Sequence, residues 1–234
     1  MFIMIDGVDG SGKSTIIDIW KKYLTDQGNT IFDLKNYWLT TGTYPDWSEL
    51  SAYDFIFSGE PTYVGVGQAI RSELIKNGAG YSARTIAEAY ALDRLILYKK
   101  IIIPALKNKK CVIQDRGIST SFAYQPLTDT ALTPRVLARL EGNALALEYR
   151  PDHLVLLSID PAVALGRAHK RAHKQDNAIF EKLAFQKKLA RLFATASYRR
   201  LFTRRGTTIH DLPAAAKIDI LSERAIKLLK TLLR

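Results

Sequence analysis

The first fifteen residues constrain the fold more than any other stretch. Phe2-Ile3-Met4-Ile5 is an apolar run of strand length, and Asp6 leads from it into Gly7-Val8-Asp9-Gly10-Ser11-Gly12-Lys13-Ser14-Thr15. This is G-x-x-x-x-G-K-[ST], followed by an apolar, helix-like segment from Ile16 to Leu24. Glycines let backbone N–H groups curl around phosphate oxygens, and the next helix points its positive N-terminal end at them. Gly7, Asp9, Gly10, Ser11, Gly12 and Thr15 form the cradle, Lys13 reaches the β- and γ-phosphates of a nucleotide, and the Ser14 hydroxyl is placed to ligate Mg2+. The plain alternative is a chance glycine-rich turn. A strand before the loop and a helix after it argue against that.

Nearly half of the 234 residues are hydrophobic, enough for one sizeable core and a single domain over residues 1–234, with a mobile flap. The lone cysteine, Cys111, lies in an apolar run and cannot make an internal disulfide, which fits a reducing compartment. No apolar run reaches membrane-spanning length, and the N-terminus is already the strand of the phosphate loop. A soluble, cytoplasmic protein with no membrane contact is expected. The net charge of +11 raises nucleic acid as a partner. Between Gly166 and Gly206, however, stand twelve Lys/Arg against two acids, so nearly all of the excess sits in one segment. That segment reads as a solvated helix face, a basic flap closing over a triphosphate, or a nucleic-acid footprint. Its confinement favours the flap.

Strand-like and helix-like segments alternate, the pattern of a parallel sheet with helices on both faces. Strands are predicted at 2–5, 30–34, 111–115, 153–160 and 207–210, giving a five-stranded sheet. Helices are predicted at about 16–24, 67–76, 82–106, 132–149, 162–171, 178–202 and 222–233. Residues 36–58 read as an aromatic loop insertion carrying Tyr37, Trp38, Tyr44, Trp47, Tyr53, Phe55 and Phe57. The plainer reading is a surface insertion packed by its own rings; the sharper one is part of a substrate pocket or dimer contact.

Ligands of such sheets bind at the carboxyl ends of the strands. Those ends offer the phosphate loop with Asp9, then Asp115-Arg116 after the strand at Val112, and Glu60 in the turn 59–62. Tyr90 and Arg94 stand four apart on one helix face. A flat ring beside a guanidinium suits a nucleobase. Alone, the pair reads equally as an ordinary helix face with a buried ring and a salt-bridged arginine. His169 and His173 have a permitted ligand spacing, but no Cys or third ligand accompanies them.

Taken together, these residues resemble the thymidylate kinase family. Phe2–Thr15 is similar to its opening, E-G-x-D-G-x-G-K-S/T, with Asp6 where the family usually has Glu. Asp115-Arg116 followed by Ser119-Thr120-Ser121 and Ala123-Tyr124-Gln125 resembles its D-R-Y/H stretch ending in A-Y-Q. Ala91-Leu92-Asp93-Arg94 resembles its A-x-x-R helix, with Tyr90 at the usual Phe position. Pro151-Asp152, Ile159-Asp160-Pro161 and Ala164-Leu165 resemble its P-D…D-x-D-P…A-L stretch.

The resemblance implies an ATP- and Mg2+-dependent nucleoside monophosphate kinase, a homodimer, with dTMP as the first candidate acceptor. It implies that Lys13, Ser14 and the loop amides hold ATP phosphates and Mg2+, and that Asp115 acts near the metal through water. Asp9 would face the acceptor sugar. Arg116, with Arg71 close by, would hold the acceptor phosphate. Tyr90 would stack on the base and Arg94 would bond its carbonyl oxygen, with Glu60, Thr120 and Ser121 beside them. Tyr124 would sit where a ribose 2′-hydroxyl would go. Residues 167–177 would be the basic lid, with Arg167 and Arg171 as candidate catalytic arginines, because transition-state charge needs stabilising.

Some positions depart from the family. Its R-E-P-G-G-T is here Gly59-Glu60-Pro61-Thr62-Tyr63-Val64, and the aromatic after D-R is Gly117. The family's tyrosine in the helix after the lid is matched by Phe193. Two smaller groups near the acceptor weaken thymine specificity and keep a different acceptor, a deoxynucleoside or modified deoxynucleotide, in view. A nucleoside hydroxyl would need a base, for which Glu60 is the candidate. A weakly catalytic nucleotide- or nucleic-acid-binding protein is the alternative of another class.

Overall fold

The computed structural model describes residues 1–169 and 182–234. Among them, one sheet carries six parallel strands in the order β2-β3-β4-β1-β5-β6: β1 Phe2–Gly7, β2 Ile31–Asp33, β3 Phe55–Gly59, β4 Cys111–Asp115, β5 His153–Ser158 and β6 Thr208–Pro213. The expected α/β architecture is present, with one strand more than the five expected. The extra strand is β3, inside the stretch read as a loop. Phe55, Ile56, Phe57 and Ser58 are all buried, so the strand lacks the polar alternation that marks a one-sided sheet.

Successive side chains alternate between the two faces. Ile3, Ile5, Phe55, Phe57, Ile113, Val155 and Leu157 pack with α1 (Lys13–Asp26) and with the closing C-terminal helix, Ile218–Leu232. Ile16, Trp20 and Leu24 recur at helical spacing on that side, and Trp20 Nε1 donates to the Ala225 carbonyl at 2.8 Å. Phe2, Met4, Ile56, Val112, Leu154 and Leu156 face the opposite layer.

The rest of the aromatic stretch is also ordered into α2 (Leu34–Thr41) and α3 (Trp47–Leu50). Trp38 and Leu50 are buried in the main core, so this is no self-packed surface insertion. Asp33 caps α2 by accepting from the Lys35 and Asn36 amides, a local signal that starts the helix. A short α4 (Gly65–Ala69) passes into a π-helical turn at Ile70–Leu74.

The helix predicted at 82–106 is α5 (Ala83–Leu97), a π-helical turn at Tyr98–Ile102 and α6 (Ile103–Lys107). The stretch after Asp115 folds as α7 (Ile118–Thr128), a helix not read from the sequence. The expected single helix at 132–149 is two, α8 (Pro134–Leu137) and α9 (Glu141–Glu148). After α10 (Pro161–His169), the long basic helix is divided into α11 (Leu183–Ala194) and α12 (Ala196–Thr203). Thr195 makes the division: extended itself, it caps α12 by accepting from the Tyr198 amide. No helix among the described residues is long and apolar enough to cross a membrane.

Candidate active site

A cleft of about 680 Å³ opens at the carboxyl ends of β1, β3 and β4. The phosphate loop forms one wall. It begins at Gly7, where a Cβ would lie 2.8 Å from the Leu157 carbonyl oxygen, so the chain passes β5 only without a side chain. Gly12 precedes α1 in a left-handed conformation, and no side chain caps the helix N-terminus. Lys13 is buried, its ammonium donating to the Gly7 and Val8 carbonyls at 3.0 and 2.9 Å. Burial, helped by the Arg116 charge, lowers its pKa to about 8 against the pull of Asp115, Asp9 and Asp6.

Ser14 is exposed and lines the cleft, as does Asp115 at the end of β4. Asp115 Oδ1 is buried with no hydrogen-bond partner. An orphaned carboxylate oxygen and a serine hydroxyl lining one cleft beside a phosphate loop fit a Mg2+ held chiefly by nucleotide phosphates and water.

Asp9 and Arg116 meet across the cleft. Arg116 Nη2 donates to Asp9 Oδ1, while Nη1 reaches Tyr124 Oη at 3.2 Å and lies 3.5 Å from Asp6. Gln186, from α11, grips Asp9 twice: the Asp9 amide donates to Oε1 at 3.0 Å and Nε2 donates to Oδ2 at 2.7 Å. Asp6 is fully buried and accepts from Ser119, Thr120 and the Gly7 amide. The Thr120 hydroxyl is thus spent on Asp6, although Thr120 does line the cleft.

The other end of the cleft is built from α5 and α7. Tyr90 and Arg94 share its wall, and burial pushes the Tyr90 hydroxyl up to about 12. Arg94 is only 1% exposed. Its guanidinium donates to Asn143 Oδ1, to Glu60 Oε2 at 2.5 Å and to Ser121 Oγ at 3.0 Å. The plain alternative for Arg94, a salt-bridged core arginine, therefore holds together with its place on the cleft wall. Burial raises Glu60 to about 7 in spite of Arg94, so desolvation outweighs the ion pair.

The Glu60–Pro61 peptide is cis. The turn is fixed by Asp93, which accepts from the Thr62 amide and hydroxyl at 2.8 and 2.7 Å. Arg71, on the π-helical turn, donates to the Pro61 and Thr62 carbonyls and lies 3.9 Å over the Tyr63 ring.

Of the two arginines expected in the lid, Arg167 is not brought together with these groups. Arg167 donates to the Ala214 carbonyl at 3.1 Å and does not line the cleft. Arg171 and most of the lid lie outside the described residues. Gly117 lines the cleft, and the room directly beside its Cα is taken. A Cβ there would lie 2.5 Å from Met4 Cε and 2.8 Å from Gln114 Nε2, so those side chains fill the room.

Gln186, Gln114 and Asn143 escaped the sequence reading. Only Gln114 carried a signal, as a polar residue inside an apolar strand. The stretch read as an insertion adds Asn36, Trp38, Phe57 and Ser58 to the cleft wall, beside Asp33 and Lys35 just before it.

A phosphate loop on a parallel sheet, facing paired arginines and a ring-and-guanidinium wall, defines a P-loop phosphotransferase acting on nucleotides. The family model described as thymidylate kinase matches residues 47–223. A thymidylate kinase of Clostridium novyi is 29% identical over 98% of this chain and 98% of its own length. A probable thymidylate kinase of Thermococcus onnurineus is 31% identical over 81% of this chain and 80% of its own. One from Anoxybacillus flavithermus is 27% identical over 100% of this chain and 98% of its own length. The chain belongs to the thymidylate kinase family and is a nucleoside monophosphate kinase.

Proposed function

We propose that the enzyme transfers the γ-phosphoryl group of ATP to dTMP, releasing ADP and dTDP, with Mg2+ as cofactor. One arrangement carries the reading: Arg116 and Arg71 line the cleft between the phosphate loop and the Tyr90–Arg94 wall. An acceptor lying along that line meets cations at its phosphate and a ring and guanidinium at its base. The names of the relatives support dTMP as that acceptor.

A monophosphate oxygen is already a nucleophile, so the protein needs no strong base. It has to align two anions and neutralise their repulsion. Lys13 leaves the loop carbonyls for the β- and γ-phosphates, and the α1 amides complete the cradle. Ser14 and, through water, Asp115 would hold Mg2+, which would supply positive charge against the phosphates. The acceptor phosphate competes with Asp9 for the Arg116 fork. Asp9, steadied by Gln186, turns to the sugar hydroxyl, and Tyr124 covers the position of a 2′-hydroxyl. Arg171, with Arg167 as the second candidate, supplies the transition-state cation from the lid at 167–177. The chain works as one domain, as a homodimer, in the cytoplasm.

The test is ADP release with ATP and Mg2+ against dTMP, dUMP, UMP, dCMP, dGMP, dAMP and thymidine. Fast turnover of dTMP with little of thymidine is expected. Silence on dTMP with turnover of another monophosphate would overturn the acceptor. The added wall from α2 favours a modified deoxynucleotide as the second reading.

A further inference from the structure

Strand β4 is covered on both faces, yet its fourth residue is a glutamine. Gln114 is fully buried and does not line the cleft. Both hydrogens of its amide nitrogen are used: one goes to Glu60 Oε1 at 3.0 Å, the other to the Arg116 carbonyl at 2.9 Å. Its own Oε1 has no hydrogen-bond partner. A buried amide with its acceptor unmet is a poor device for stability, since an apolar side chain of the same size would not bear that cost.

Its bonds instead join two parts of the site. Glu60 holds Arg94 with its other oxygen, so the first bond reaches the base end of the cleft. The second reaches the phosphate end. Arg116 has a φ of 65°, a left-handed conformation uncommon outside glycine, and its carbonyl is the one Gln114 holds. A Cβ on the next residue, Gly117, would lie 2.8 Å from Gln114 Nε2 and 2.5 Å from Met4 Cε, so a larger residue there would displace the Gln114 amide. Gln114, Arg116 and Gly117 therefore form one local solution. The amide sets the backbone from which the Arg116 guanidinium is aimed.

We propose that Gln114 is a positioning residue that ties the Glu60–Arg94 pair to Arg116, so that base and phosphate of the acceptor are gripped in one register. The inference rests on the acceptor site assigned above. Both bonds of the amide lead to groups assigned to the acceptor, so the tie acts on the acceptor and not on ATP.

The test is Gln114→Met, which keeps length and volume and removes both donors. With the full-length enzyme, the acceptor KM is expected to rise about tenfold or more, with a smaller fall in kcat. The ATP KM and the Mg2+ concentration for half-maximal rate should stay within about twofold. Combined with Arg116→Lys, the losses should fall short of the product expected for independent sites.

An unchanged acceptor KM in folded Gln114→Met would overturn the proposal. So would a parallel rise in the ATP KM or the Mg2+ requirement, or losses that simply multiply. If Gln114→Met does not fold, Gln114→Asn, whose shorter amide cannot reach both partners, takes its place with the same readouts. The acceptor used is the monophosphate the wild type turns over fastest. Silence on dTMP would thus overturn the substrate reading alone and leave this test in force.

Discussion

Replacing Arg94 by Met separates the ion pair at the base end of the cleft. The guanidinium makes bonds to Glu60, Asn143 and Ser121, all of them buried. Breaking a buried ion pair by removing one partner costs about 3–5 kcal/mol, because the other charge is left uncompensated. Glu60 can soften that loss by taking a proton. Its carboxyl is raised from 4.5 to about 7, by burial first and with Arg94 opposing. Without Arg94 it rises further.

The sign follows from proton counting. A carboxyl raised in the folded state gives stability that is complete below the unfolded value and is lost as pH rises through the folded one. The slope in that window is about 1.4 kcal/mol per pH unit. Wild type therefore loses this contribution between pH 4.5 and about 7, and in Arg94→Met the loss continues above it. Urea denaturation at pH 6 and pH 8 reads the difference. The variant should lose about 1–3 kcal/mol at pH 6, where Glu60 is protonated in both proteins, and about 3–5 at pH 8. Adding Glu60→Gln should recover part of the loss at pH 8. A loss below about 1 kcal/mol at pH 8, or one that shrinks as pH rises, would refute the reasoning.

Other outcomes follow from the same geometry. Lys13→Ala should abolish ATP-dependent turnover; retained activity would remove Lys13 from the phosphate site. In wild type, kcat/KM for ATP should fall as pH rises past about 8, where free Lys13 loses its proton, and a flat profile to pH 9.5 would contradict it. Arg116→Ala should raise the acceptor KM about a hundredfold with little change for ATP, and a loss confined to ATP would mean the role is misassigned. Asp115→Asn should raise the Mg2+ concentration needed for half-maximal rate, measured at fixed ATP; an unchanged requirement would take the orphaned oxygen out of the metal site. Cys111, pushed up to about 12 by burial, should resist alkylation at pH 8 until urea unfolds the chain.

The phosphate loop, the Asp115-Arg116 strand end and the Tyr90–Arg94 face were legible because each binds chemistry to a fixed spacing on one element. Strand β3 was not. Aromatic residues buried on both faces look the same, one by one, as rings on a packed loop. The breaks at Thr195 and before Glu141 were hidden because the hydrophobic spacing continues across them. Contacts made across the fold were also out of reach. Nothing local in Leu183–Ala194 marks Gln186 as the partner of Asp9, and the filling of the space beside Gly117 depends on Met4, a strand away. The Arg94 network needed Asn143, which lies 49 positions further along the chain.

The central claim is phosphoryl transfer from ATP to the phosphate of a monophosphate held by Arg116. Phosphorus NMR of the purified enzyme with ATP, Mg2+ and dTMP follows it directly. The expected result is a growing diphosphate pair from dTDP, matched one for one by ADP. Inorganic phosphate alone, or a phosphate ester formed on a sugar hydroxyl, would contradict it.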